Sequence, residues 1–162
     1  MLFALKILSL ILVAVAAALS LAHALELPGK MRLTREQYLA VQPIYYPGFT
    51  YAGICEPAAV LVLAALLILM PDGTPAFWLV AGALAAMAAV NALYWLLTAP
   101  VNKVWMQGQK LSGGEQKFFD ISGTKEEMDW NTLRDRWERS HLVRAALMTL
   151  AFVAMTVAVM KS

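Results

Sequence analysis

Four apolar runs decide what this chain can become: roughly residues 2–25, 51–70, 76–98 and 142–160. Each holds about 19 to 24 residues, enough for a helix to cross a hydrocarbon core of ~30 Å. The chain is 60% hydrophobic, with a mean hydropathy of +0.63 over 162 residues. A soluble chain of that length does not carry four such runs. The expected fold is an all-α integral membrane protein, a four-transmembrane-helix bundle with short interfacial helices, forming one domain over residues 1–162.

Charge placement gives the orientation. If all four runs cross, segments 26–46 and 99–139 share a side. That side carries Lys30, Arg32, Arg35, Lys103, Lys110, Lys117, Lys125, Arg134, Arg136 and Arg139, against only Lys6 and Lys161 opposite. Positive residues favour the cytoplasm, so both termini are expected outside. The Ala-rich helices point to a bacterial inner membrane. Nucleic acid is not an expected partner, because seven acids are interleaved in the second basic segment. The start of the chain imitates a signal peptide, with Lys6, an apolar run and Ala22-His23-Ala24. It is read instead as a retained span, since His23 and Glu26 fit the polar pattern of the other helices. The single Cys55 excludes an internal disulfide and a Cys-rich metal site.

Local signals place the connections. The first helix is expected to end at Pro28-Gly29. Thr34 with Gln37 three residues on is a capping-box pattern opening a short interfacial helix over Arg35–Ala40. Tyr45, Tyr46 and Tyr51 fall where interfacial aromatics anchor a span, and Pro43 and Pro47 break the path into it. Glu56-Pro57 is either a kinked binding position or an ordinary kink. The stretch from Pro71 to Pro75 is a tight turn. Val101–Gln109 reads as a further interfacial helix, Leu111–Thr124 as a loop, and a helix resumes from Lys125 into the fourth span.

The polar residues on these runs are few. His23-x-x-Glu26 and Glu138-x-x-His141 each place two side chains on one helix face, and both pairs fall at the inward end. Glu56 lies ~8 Å into its run and Arg144 ~3 Å into its own, with Asn102 just past the third run. Such groups face a bundle interior and mark a site. His23, Glu26, Glu138 and His141 form a candidate transition-metal set. One Glu-x-x-His motif of the di-iron type is present, but the other pair is reversed. Two His on different helices also suit a haem. The structural alternative pairs Glu56 with Arg144 and Glu138 with Arg134, and uses His23 as an interhelical hydrogen-bonding group. A third reading is a polar pocket for an organic ligand.

His23-Ala24-Leu25-Glu26-Leu27-Pro28-Gly29-Lys30, the Tyr45-Tyr46-Pro47-Gly48-Phe49 turn, Pro100-Val101-Asn102 and the Trp137-Glu138-x-x-His141-x-x-Arg144 stretch resemble a widespread family of small four-helix membrane proteins. That family includes the fungal anthrone oxygenases. The resemblance implies oxidation of an electron-rich, lipophilic aromatic (anthrone- or quinol-like) by dioxygen, with a metal or haem or with no cofactor. It carries His23, Asn102, Trp137, Glu138, His141 and Arg144 over as site residues. With Glu56 from the depth argument, the candidate catalytic set is His23, Glu56, Asn102, His141 and Arg144. The competing function is a non-catalytic subunit holding a lipid or quinone in a homo-oligomer or larger membrane complex. A transporter is the weakest reading, because no inverted repeat is evident.

The topology has a direct check. With Cys55 removed, a cysteine at Asp72 should react with an impermeant label from outside, and one at Ser112 only from inside.

Overall fold

The computed structural model describes residues 1–105 and 129–161. Its elements are α1 (Leu2–Lys30), α2 (Arg35–Val41), a 3-10 turn (Gln42–Tyr45), α3 (Gly48–Ala52), α4 (Cys55–Leu69), α5 (Pro75–Leu93), a π turn (Tyr94–Thr98), α6 (Ala99–Trp105) and α7 (Trp130–Met160). No strand occurs among the described residues. Four stretches are long and apolar enough to span a membrane: Leu2–Lys30, Gly48–Leu69, Pro75–Trp105 and Trp130–Met160. The protein is an all-α four-helix bundle.

Packing runs α1–α4–α5–α7 and back to α1, a closed ring of four. The half of the bundle nearest the chain termini has an apolar core. It is built from Val13 and Ala16 on α1, Leu63 and Leu66 on α4, Val80, Ala83 and Met87 on α5, and Met148, Ala151 and Met155 on α7. Alanines among these let helix axes approach closely, which in lipid supplies the van der Waals attraction between helices. The outer faces carry the large apolar side chains that lipid would solvate: Leu61, Ile68, Trp78 and Leu150 are all more than half exposed. Toward the C-terminal end of α1 the interior turns polar, and there the buried groups include His23, Lys30, Glu56, Asn102, Glu138, His141 and Arg144.

Several local expectations hold. Thr34 Oγ1 accepts from Gln37 N and the Gln37 side chain accepts from Thr34 N, which is the full capping box. Thr74 caps α5 by accepting from Phe77 N at 3.1 Å, after a turn whose Gly73 takes φ 72°, the left-handed region. α7 runs unbroken from Trp130 through Trp137 into the fourth span.

Other expectations are corrected. α1 does not stop at Pro28-Gly29 but runs to Lys30 with Pro28 inside its last turn. The missing Pro28 N–H is tolerated there, and the one further residue, Lys30, is buried. The break in the second span falls at Gly53 and Ile54, one turn before Pro57, where the Gly53 carbonyl that Pro57 cannot bond accepts from Glu56 N at 3.0 Å instead. Pro57 falls in the first turn of α4, where a helix has no use for its N–H. Gly53 sits so close to its own backbone that a Cβ would lie 3.1 Å from the Phe49 carbonyl oxygen. The helix expected from Val101 is present as far as the described residues go, in α6 (Ala99–Trp105), but it continues the third span, with a π turn before Pro100. Pro100 has no N–H to return to the Leu96 carbonyl four residues earlier, and Arg136 Nη2 donates to that oxygen instead, at 2.6 Å. The remainder of the Val101–Gln109 segment, the loop over Leu111–Thr124 and the helix start at Lys125 lie outside the described residues.

Close packing makes one face of α5 intolerant of size. Ala83→Leu should destabilise the bundle by ~1–3 kcal/mol, because Ala83 is fully buried. Ala85→Leu, two residues away on the exposed side, should shift stability by less than ~0.5 kcal/mol. Thermal unfolding in one detergent compares the pair.

Candidate functional site

A cavity of about 230 Å³ lies inside the polar half of the bundle. His23, Glu56, Asn102, His141 and Arg144 all line it, so the structure brings the five candidate catalytic residues to one space. They arrive on four different pieces of the ring. α1 supplies His23, α4 supplies Glu56 in its first turn, α6 supplies Asn102, and α7 supplies His141 and Arg144 three residues apart on one face.

Arg144 is paired with Glu56 through Nη2 and Oε1, with both side chains largely buried. The guanidinium also stacks over the Tyr94 ring, 5.2 Å from its centroid. Arg144 Nε has no hydrogen-bond partner among the described residues. The site therefore holds a cation whose charge is balanced by one carboxylate and which retains an unused N–H donor.

The histidines meet edge to face, with ring centroids 4.5 Å apart. His141 stacks on Trp137 at 3.9 Å, and its Nδ1 lies 2.9 Å from the Trp137 carbonyl oxygen. A carbonyl can only accept, so Nδ1 carries the hydrogen and the neutral ring presents a lone pair at Nε2. His23 is boxed by Tyr45 at 4.5 Å, Phe49 at 4.9 Å and Trp137 at 5.1 Å. Its Nδ1 is buried without a hydrogen bond and sits 3.9 Å from Glu26 Oε2. Trp137 Nε1 donates to Asn102 Oδ1 at 2.7 Å. An indole N–H is only a donor, which fixes the amide with its oxygen on Trp137 and its NH₂ directed elsewhere.

Beneath the cavity floor lies a second polar layer. Lys30 Nζ is 3.2 Å from Glu138 Oε1 and 3.6 Å from Glu26 Oε2, and it lies 4.7 Å from the Trp137 ring centroid. Tyr38 donates to Glu138 Oε1 at 2.5 Å, and Tyr45 donates to Glu26 Oε2. Burial raises both phenols above their ordinary values, and the carboxylate each one faces adds to this, so both remain donors. Glu138 thus pairs with Lys30 and not with Arg134, which binds its neighbour Asp135 at 2.9 Å.

This layer also bears on cofactors. Glu26 and Glu138 turn to Lys30 and the tyrosines, and neither lines the cavity. Among the described residues no group of three or more His, Cys, Asp or Glu is placed to hold a metal ion. The two imidazoles are in ring contact, which leaves no slot for a porphyrin between them. The described residues fit neither group.

Several lining residues are not evident from the sequence. Tyr45 reads as an interfacial anchor but covers His23. Ser20 is buried one turn before His23, its hydroxyl 3.4 Å from the His141 carbonyl oxygen. Tyr94, Trp95 and Thr98 reach the cavity from the π turn; such turns recur at functional sites. Lys30 has a legible signal, since it lies four residues beyond Glu26 on one helix.

The buried ion pair generates a mutational cycle. Glu56→Ala or Arg144→Ala alone should cost ~3–5 kcal/mol by stranding the partner. The double variant Glu56→Ala with Arg144→Ala should lose less than the sum of the single variants. Unfolding midpoints of the four proteins in detergent decide this.

The comparisons with known proteins agree with this architecture. The family model described as anthrone oxygenase matches residues 43–154, well over half of the chain. The matched segment includes Glu56, Asn102, Trp137, His141 and Arg144, while His23 and Glu26 precede it. No curated protein and no solved structure matches the chain significantly. On the strength of the family match, this four-helix membrane protein belongs to the anthrone oxygenase family.

Proposed function

We propose that the chain is a membrane-embedded oxygenase that converts a lipophilic anthrone- or quinol-like aromatic, by dioxygen, inside this cavity. The observation that carries the reading is the juxtaposition of two contacting imidazoles with a buried guanidinium in one aromatic-walled space. Phe49, Tyr94, Trp95 and Trp137 supply flat apolar surface for a fused-ring substrate. Family membership supports an oxygenase-like role at the same level.

The chemistry follows from the groups present. An anthrone carries an acidic methylene conjugated with its carbonyl. An imidazole removes one proton from that carbon as general base. The charge passes to the carbonyl oxygen, where Arg144 and the Asn102 NH₂ provide donors. The carbanion form adds dioxygen at the former methylene, and the resulting hydroperoxide loses water. The carbon exchanges two hydrogens for one oxygen, and the second oxygen atom leaves as water. The burial of the site keeps the anion away from bulk solvent.

In this reading the protein sits in a bacterial inner membrane with both termini outside, and the cavity lies toward the cytoplasmic ends of the spans. Partners are the bilayer and the lipophilic substrate. The accessory alternative, a lipid- or quinone-holding subunit, differs by predicting no turnover from the isolated chain.

The test is oxidation of an anthrone to its anthraquinone by the purified chain, with oxygen uptake followed in parallel. His23→Gln and His141→Gln should each lower kcat by ~10²–10⁴-fold while the unfolding temperature changes by only a few degrees. Full activity in both variants, or none in the wild-type chain, would overturn the proposal.

A further inference from the structure

The two histidines of the cavity are not equivalent, and the difference concerns where a proton can go. His141 has its Nδ1 held by the Trp137 carbonyl oxygen at 2.9 Å. A carbonyl takes no proton away, so His141 can give back only what it receives at Nε2. His23 is wired differently. Its Nδ1 faces Glu26 Oε2 across 3.9 Å, with no hydrogen bond to any described residue. One bridging water or a small rotation spans such a gap. The His23 ring is buried, whereas the Glu26 side chain is 42% exposed. One imidazole therefore touches the cavity on one side and, on the other, a partly exposed carboxylate four residues from the end of α1.

The groups around His23 leave Glu26 as the carboxylate it faces. Lys30 on its own helix and Arg144 from α7 both act on it as cations. The other groups packed on the ring are His141 and Trp137 of α7, Tyr45 and Phe49. Glu26 is the carboxylate facing its free nitrogen; Lys30, whose Nζ lies 3.6 Å from the same Oε2, stands on that side of the ring and does not push an imidazolium toward it. Tyr45 donates to the same oxygen, Oε2, which holds the carboxylate in place beside the ring.

We propose that Glu26 is the outlet through which protons collected by His23 leave for solvent, making His23 the base that turns over and His141 its fixed neighbour. This rests on the oxygenase reading above. The step is proton transfer alone: the substrate C–H bond breaks and its electron pair stays on the substrate. The proton adds to Nε2 of His23, the proton on Nδ1 passes to Glu26, and Glu26 releases it to water; the Nε2–H tautomer left behind returns to the Nδ1–H form, by a ring flip or by exchange with water, before the next turnover. Glu26 acts through His23 and does not touch the substrate.

Proton removal can be read without oxidation. Under anaerobic conditions in D₂O, the wild-type protein should exchange the methylene hydrogens of an anthrone for deuterium faster than buffer does. Glu26→Gln keeps an acceptor for Tyr45 but not a proton carrier, and should slow exchange and aerobic kcat together by at least ~10-fold, with KM little changed. Because the Glu26 side chain is 42% exposed near the end of α1, added formate or imidazole should restore exchange in this variant. Glu26→Asp, a carboxylate on a shorter stem, should exchange at an intermediate rate. Unchanged exchange in Glu26→Gln overturns the outlet while leaving the oxygenase intact, and slowed exchange that no buffer restores overturns it in favour of a structural role. A wild-type chain that neither exchanges nor oxidises anthrone overturns the oxygenase reading and the outlet with it.

Discussion

The polar half of the bundle depends on the Glu56–Arg144 pair. In a medium without water, neither group is tolerated alone, and together they tie the first turn of α4 to α7. That tie spans the ring on the side where the second helical stretch is interrupted at Gly53 and Ile54. α4 starts at the pair, and the short α3 is left to fold back over His23 through Phe49. The cavity is therefore a consequence of electrostatics as much as of packing. The helices cannot close fully without expelling a charge, and the space beside the charge remains.

The long helix α7 is the element on which most other groups depend. Over two turns it presents Trp137, Glu138, His141 and Arg144 inward. Trp137 orients Asn102 through its indole N–H and His141 through its carbonyl, and it supports Lys30 with its ring face. A single residue thus links the cavity to the polar layer beneath it. The Trp-Glu-x-x-His-x-x-Arg spacing, the most specific pattern in the sequence, belongs to this region.

How far the sequence can be read depends on the range of each force. Span number, the capping box at Thr34, the turn at Gly73 and the inward placement of His23, Glu56, His141 and Arg144 are legible, because hydropathy and helix period are local properties. The pairing of Glu138 is not. Arg134, one turn before it, is the obvious local partner, yet Lys30 from α1 is the one that reaches it. That choice depends on α1 continuing past Pro28, which a rule for residues near proline argues against. The extent of the third span is hidden for a related reason. Pro100 breaks a helix only if its orphaned carbonyl finds no donor, and the donor, Arg136, lies 40 residues along the chain from that carbonyl at Leu96. Tyr45 is similarly opaque: an interfacial tyrosine and one folded over a histidine look alike until the chain is closed.

The π turn at Tyr94–Thr98 has a geometric consequence for everything after it. A π turn uses one residue more than an α turn to advance along the same axis, so each side chain beyond it is out of phase with the helix before it by about 100°. α5 buries Val80, Ala83, Met87 and Val90, the face that meets the apolar core. In unbroken α-helical phase that stripe would continue onto Val101, whereas Ala99 and Asn102, buried as well, lie off it. The wide turn re-aims α6 so that an amide, rather than another apolar residue, meets Trp137. Straightening Tyr94–Thr98 into regular α-helix at constant length would carry Asn102 about 100° off its indole partner, and leave the span nearly as long and as apolar as before while unmaking one wall of the cavity; deleting one residue of the turn as well would bring Asn102 back.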